Sequence, residues 1–258
     1  MYTPFCLIST LYQKSSIYQA SLETVIISII QIYVTTRRAM KRIKLSKIIS
    51  LCTEMHKLDF LYSLVIVIVT FLADNIGSSI SVSSIGNTLI NEGLLEDGKR
   101  KGTPSAHTVQ AYVNALLESY FYYDIKRFDI KGKEFLRTLG KYYIVDIGLR
   151  NYLLGFRNRD SGHALENVVY FELLRRGFDV SIGKVDNTEV DFIASKADDK
   201  IYIQVTESMT NETVRDRELA PLQKINDNYE KMVLSLDTGL DSCYEGIKSL
   251  YLIDWLLQ

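Results

Sequence analysis

The stretch G-H-A-L-E-N-V-V-Y-F-E-L-L-R-R-G (162–177) is followed by F-D-V-S-I-G-K (178–184), E-V-D-F-I-A (189–194) and I-Y-I-Q-V-T (201–206). It reads as an amphipathic helix and then three short strands. Glu166 falls early on the helix, Asp191 in the second strand and Gln204 in the third. Carboxylate and amide oxygens that converge at strand ends suit a hard cation such as Mg²⁺. Such a cation activates water and stabilises charge on a phosphoryl oxygen. In E-V-D-F-I-A, Val190, Phe192 and Ala194 alternate with Glu189, Asp191 and Ile193. Strict alternation therefore places Asp191 on one face with Glu189 and Ile193, an acid beside an apolar residue.

The order Glu166, Asp191, Gln204 resembles the PD-(D/E)XK nuclease-like fold in its E…D…[E/Q]-x-K form. More widely, residues from about 71 to 258 are similar to the DUF4143 domain, the C-terminal portion of a prokaryotic family of AAA-type ATPases of poorly defined function. The matching pieces, in order, are F-L-A-D-N-I-G (71–77), T-V-Q-A-Y-V-N-A-L-L-E (108–118), K-Y-Y-I-V-D-I-G-L-R-N (141–151), A-L-E-N-V-V-Y-F-E-L-L-R-R-G (164–177), E-V-D-F-I (189–193) and I-Q-V (203–205). The resemblance implies that Glu166, Asp191 and Gln204 are catalytic residues and Mg²⁺ ligands of a nuclease-like domain. One position departs from the pattern. The motif places Lys two residues after the acid or amide, where it positions water and offsets phosphate charge. This chain has Thr206 there, and a hydroxyl carries no positive charge. The site is therefore expected to be degenerate unless another cation serves it, with Lys184 and Lys200 as candidates. The structural alternative is an ordinary α/β core with its acids solvated at strand ends.

Composition bounds the rest. The 258 residues are 47% apolar and 24% charged, and net charge is −1, so any nucleic-acid contact must come from local patches. Cys6, Cys52 and Cys243 form neither a disulfide framework nor a metal spacing, which points to a reducing cytoplasm. The three histidines sit in no paired motif and speak against a zinc site.

Residues 1–57 form an N-terminal segment. Thr24 to Val34 is nearly all apolar, and Arg37, Arg38, Lys41, Arg42, Lys44 and Lys47 follow it. A secretory signal has the reverse order. The apolar run from Phe60 to Ala73 is shorter than the roughly 20 residues that cross a bilayer, so no membrane span is expected. The basic run suits either a solvated helix face or an anionic partner. The resemblance implies that this segment is a remnant of the linker or ATPase region. Gly98 to Thr103 lacks the spacing and the Lys-Thr ending of a phosphate-binding loop, so no ATP site is expected.

Residues 58–155 read as a winged-helix-like domain. A helix over 60–76 stops near Gly77. Ser81 or Ser83 caps a second helix, and Ser105 caps a third over about 106–119, with Val109, Tyr112, Val113, Leu116 and Leu117 as its apolar stripe. A strand over 120–130, a turn at Lys131-Gly132-Lys133 and a returning strand from Lys141 to Val145 complete it. The helix that would enter a major groove exposes His107, Gln110, Asn114 and Glu118, a set without Arg or Lys. Positive charge comes only from Lys99, Arg100, Lys101, Lys126, Arg127, Lys131 and Lys133, the candidate nucleic-acid contacts. A packing module is the plainer use of the same unit.

Residues 156–258 read as the nuclease-like domain. Pro221 is placed in the first turn of a helix through Leu222 and Ile225, and strands follow at 231–236 and from Gly246 onward. The fold class is α/β (α+β overall): a winged-helix-like unit, then a nuclease-like domain with a mixed central sheet. The expected function is a nucleic-acid- or protein-binding regulatory module, derived from an AAA-type ATPase and without its ATPase site. The alternatives are a Mg-dependent nuclease with a degenerate site and a truncated nonfunctional remnant. Expected partners are nucleic acid, another protein or a second copy of the chain.

Overall fold

The computed structural model describes residues 55–91, 106–136, 140–157, 161–240 and 242–258. The segment 1–54 and the basic residues Lys99, Arg100 and Lys101 lie outside the described residues. His56–Gln258 forms one compact unit.

The unit begins with helices α1 (Met55–Asp74), α2 (Val82–Asn91) and α3 (Ala106–Glu118). Their apolar stripes meet in one core of Leu64, Ile68, Leu72, Ile76, Ile85, Val109 and Val113, closed by Tyr122 and Ile144. No helix among the described residues is long and apolar enough to cross a membrane. The expected strand over 120–130 is divided. Strand β1 (Tyr122–Ile125) pairs antiparallel with β4 (Lys141–Ile144). Strand β2 (Arg127–Asp129) instead joins the large sheet, parallel to β5 (Asp179–Val185), and carries β3 (Glu134–Phe135) at its edge. The large sheet thus runs across the expected domain boundary near residue 155.

After α4 (Ile147–Leu154) and α5 (Ser161–Arg175), strands β5, β6 (Thr188–Lys196) and β7 (Asp199–Val205) form an antiparallel meander. Helix α6 (Glu212–Gln223) then crosses to β8 (Glu230–Ser235), which lies parallel to β7. Strands β9 (Cys243–Tyr244) and β10 (Ile247–Tyr251) and the short α7 (Leu252–Leu256) finish the chain. Among the described residues the mixed sheet has eight strands in the order β3-β2-β5-β6-β7-β8-β10-β9. The fold is α/β, with α5 and α7 on one face of the sheet and α6 on the other. Val169, Tyr170, Leu173 and Trp255 pack on Phe192, Ala194, Ile203 and Leu234. Leu219 and Leu222 pack on Val190, Ile193, Tyr202 and Val233.

Two local departures from the sequence reading have physical causes. Pro221 lies near the end of α6, not in its first turn, because Asn211 caps the helix earlier by accepting from Thr213 and Val214 N–H. The helix ends two residues after the proline, so little ladder is left for it to break. The alternation in β6 is also interrupted. Ser181 faces Ile193 and Gly183 faces Val190, so two steps on β5 oppose three on β6. This is a β-bulge at Asp191 and Phe192. It turns Val190 and Ile193 to the same α6-side core, leaving Phe192 and Ala194 on the α5 side. Gly183 accommodates the crowding: an added Cβ would lie 3.0 Å from Val190 Cβ and 3.2 Å from Ile193 Cγ1.

Candidate functional site

Asn167 sets the position of α5 against β4. Its side-chain oxygen accepts from Ile144 N–H and its amide donates to Ile144 C=O, both at 2.9 Å. The buried amide acts as a one-residue strand partner for β4. Alternation along β4 then aims Lys141 and Tyr143 at the first turns of α5. The Tyr143 ring stacks on Tyr170, with centroids 4.9 Å apart, and its hydroxyl donates to Glu166 Oε2 at 2.9 Å. Lys141 Nζ lies 3.3 Å from Glu166 Oε2, 2.7 Å from Glu189 Oε1 and 3.9 Å from Asp191 Oδ1. One ammonium therefore stands among three carboxylates from α5 and β6.

Asp191 reaches this centre on the same face as Glu189, while the bulge sends Ile193 to the opposite side of the sheet. Asp191 thus shares the Lys141 ammonium with Glu189, as alternation predicts, and does not share a face with Ile193. Its other oxygen accepts from Val205 N–H at 2.8 Å. Glu166 also meets His163, whose Nδ1 is 3.4 Å from Oε1 without hydrogen-bond alignment. Gly77 closes the wall. Its φ is +69°, and an added Cβ would lie 2.7 Å from His163 Nδ1 and 3.1 Å from Glu166 Oε2.

The electrostatics follow from burial and charge count. Burial alone raises a carboxyl pKa. For Glu166 the His163 imidazole, the Lys141 ammonium and the Tyr143 hydroxyl outweigh burial and hold the carboxyl below its ordinary value. Asp191 is buried and faces the Glu166 charge, so its pKa is pushed well above the ordinary range despite Lys141 and the Val205 hydrogen bond. Burial favours the neutral amine at Lys141, but Glu166, Asp191 and Glu189 together prevail and raise its pKa. Burial and the neighbouring acids push the Tyr143 phenol up, so it remains a hydrogen-bond donor.

The structure brings Glu166 and Asp191 together and directs Gln204 elsewhere. Gln204 Oε1 accepts from Asp191 N–H at 3.4 Å, and its amide donates to Glu218 Oε2 of α6 at 3.2 Å. Thr206 donates to Ser208 C=O at 3.4 Å. Neither Lys184 nor Lys200 serves the centre. Lys184 lies 4.0 Å from Asp129, and Lys200 sits over the Tyr229 and Phe128 rings. The cation is Lys141, which the sequence reading did not assign. Its signal is a lysine two positions before a buried tyrosine on a half-apolar strand, a charge on an inward face. Among the described residues, no three His, Cys, Asp or Glu side chains are placed to hold a metal ion. With Gln204 engaged by Glu218 and an ammonium among the acids, the residues present do not fit Mg²⁺. An open depression between α6 and β8–β10, lined by Leu222, Tyr229, Lys231 and Lys248, holds none of these groups.

The candidate nucleic-acid contacts divide. Arg127 pairs with Glu189 at 3.5 Å and Lys131 with Asp186 at 2.6 Å, while Lys126 and Lys133 are exposed. On α3, His107, Asn114 and Glu118 are exposed and Gln110 donates to Asn114 at 2.8 Å.

Comparison with known proteins corrects the family expected from the sequence. The family model that matches is a domain of unknown function, DUF8612, over residues 62–160, and not DUF4143. Three of the quoted pieces, 71–77, 108–118 and 141–151, fall inside that span. An uncharacterized protein of Haemophilus influenzae is 39% identical over 191 residues, covering 74% of this chain and 45% of the relative. The uncharacterized protein MJ1544 of Methanocaldococcus jannaschii is 31% identical over 176 residues, covering 66% of this chain and 37% of the relative. The chain thus spans less than half the length of these relatives. No solved structure matches.

Proposed function

We propose that residues 56–258 form a binding and regulatory module on a nuclease-like scaffold, one that hydrolyses no phosphodiester. The helix, three-stranded meander, crossing helix and parallel strand (α5-β5-β6-β7-α6-β8) agree with the nuclease-like order expected from Glu166, Asp191 and Gln204. The observation that carries the reading is the orientation of Gln204. Its amide is engaged by Glu218 and the Asp191 backbone, so the three-oxygen set that would hold a metal is not gathered. Pairing of Arg127 and Lys131 with acids weakens the nucleic-acid surface and favours a protein partner. Exposed aromatics, Tyr120, Phe135, Tyr152 and Phe156, add to that preference, since such residues are enriched at protein interfaces.

A second reading, a metal-dependent nuclease, draws support from Lys141, which supplies near Asp191 the positive charge that Thr206 lacks. One experiment separates the two. Purified protein and its Asp191→Ala variant are incubated with linear and supercoiled DNA in Mg²⁺ or Mn²⁺. The module reading expects no cleavage by either. Metal-dependent cleavage by the wild type that disappears in the variant would replace it with the nuclease.

A further inference from the structure

We infer that Lys141 is the resident cation of the carboxylate centre: its ammonium stands where a nuclease-like site places a divalent metal, and it excludes that metal. The inference deepens the module reading and rests on it.

The contacts are those of an ammonium, at 2.7, 3.3 and 3.9 Å from Glu189, Glu166 and Asp191. Mg²⁺ would draw its oxygens to about 2.0–2.1 Å in an octahedron. A divalent ion and an ammonium within a few ångströms repel one another strongly in a buried site. A metal could enter only if Lys141 left, and the structure holds Lys141 in place. Its residue pairs with Ile125 in the β1–β4 ladder and bridges to Ser79 on the other side. The flanking backbone is also tied: Gly77 N–H donates to Tyr142 C=O at 3.1 Å, and Ile80 N–H to Gly140 C=O at 3.2 Å. The side chain is almost wholly buried. A lysine carries three N–H donors, and three carboxylates face this one. The cation comes from β4, inside the span 62–160, and the acids come from α5 and β6 outside it. The same ammonium therefore offsets part of the centre's negative charge and fastens the first part of the unit to the second.

Removing the ammonium leaves three carboxylates with Arg127, on the outer side of Glu189, in place of a cation shared by all three, and a divalent ion becomes their remedy. The test is titration of the full chain with Mn²⁺, followed by the electron paramagnetic resonance of the free ion. The wild type is expected to leave Mn²⁺ free. Lys141→Met is expected to hold one Mn²⁺ per chain at least tenfold more tightly than the wild type, and Lys141→Met with Asp191→Asn to lose it. If Lys141→Met folds only with Mn²⁺ present, as read by circular dichroism, the inference is supported. Lys141→Gln provides a second variant under the same titration. The inference is overturned if the wild type binds one Mn²⁺ that Asp191→Asn abolishes, or if neither Lys141 variant binds Mn²⁺ more tightly. Wild-type binding without DNA cleavage removes the resident-cation inference alone, whereas wild-type cleavage removes the module reading.

Discussion

Replacing each of two neighbouring carboxylates by its amide should change stability in opposite directions. Glu166 accepts hydrogen bonds from Lys141 and Tyr143, and its folded pKa lies below the ordinary 4.5. A lowered pKa means stability present above the unfolded value and lost as pH falls through the folded one. Glu166→Gln therefore loses charge-assisted bonds worth about 1.5–3 kcal/mol at pH 7. For a unit of this size each kcal/mol moves Tm by roughly 2–4 °C, so a fall of about 3–12 °C is expected. Asp191 is the reverse case, with a folded pKa well above the ordinary 3.8. Its stability contribution is full below pH 3.8 and declines as pH rises toward the folded value. Asp191→Asn keeps an oxygen for Val205 N–H and removes a buried carboxyl whose ionised form is poorly compensated. Such replacements are neutral to stabilising, and a gain on the order of 1 kcal/mol is expected at pH 7. The Asp191 difference should shrink as pH falls from 7 to 4, whereas the Glu166 difference should persist down to near 4.5 and shrink only below it. Thermal denaturation by circular dichroism over that range reads all of these. An Asp191→Asn variant as destabilised at pH 7 as Glu166→Gln would refute the reasoning, because it would mean that Lys141 compensates both acids equally.

Burial pushes the Tyr122, Tyr143, Tyr170 and Tyr202 phenols above their ordinary 10.0, so the stability they contribute is intact below pH 10 and lost above it. Absorbance at 295 nm should show these four ionising only as the far-ultraviolet dichroism collapses; ionisation of every tyrosine in a still-folded chain would contradict this. Gly77→Ala forces a side chain into a left-handed backbone and against His163, and should cost at least about 1–2 kcal/mol; an unchanged Tm would show that the wall beside Glu166 is looser than described. Asn167→Ala leaves Ile144 N–H and C=O unpaired in the core, a loss of about 2–4 kcal/mol. Chemical denaturation should show that loss, and a change under 0.5 kcal/mol, typical of an exposed site, would remove Asn167 from its bracing role.

The elements that carry the acids were legible because their signals are local. The helix at 161–175 and the strands through Asp191 and Gln204 follow from short-range pattern, and so does the α/β class. What escaped depends on contacts distant in sequence. The strand over 120–130 looks continuous, yet pairing sends its first half to β4 and its second to β5, a choice made by partners and not by propensity. The bulge at Asp191 is invisible to a two-residue period, because it arises where β6 must match the shorter β5 beside Gly183. Lys141 escaped for the same reason. Its partners are distant in sequence: Glu166, the nearest of the three, comes 25 residues later, beside the Asn167 clamp.

This separation explains why the missing motif lysine is a weak guide to the centre. At Thr206 the chain carries no cation, and the backbone there is taken up by Leu234, whose C=O accepts from Thr206 N–H at 3.0 Å. A lysine at that position would add a second ammonium near a site that already contains one. The attachment of the charge matters: at Thr206 a cation would belong to the sheet alone, whereas at Lys141 it belongs to the strand that closes the helical core through Ile144. Loss of that charge would therefore disturb the junction between the helical part and the sheet as well as the acids. A merely decorative ion pair would leave the junction intact, which makes the behaviour of the Lys141 variants a test of the architecture and not only of the site.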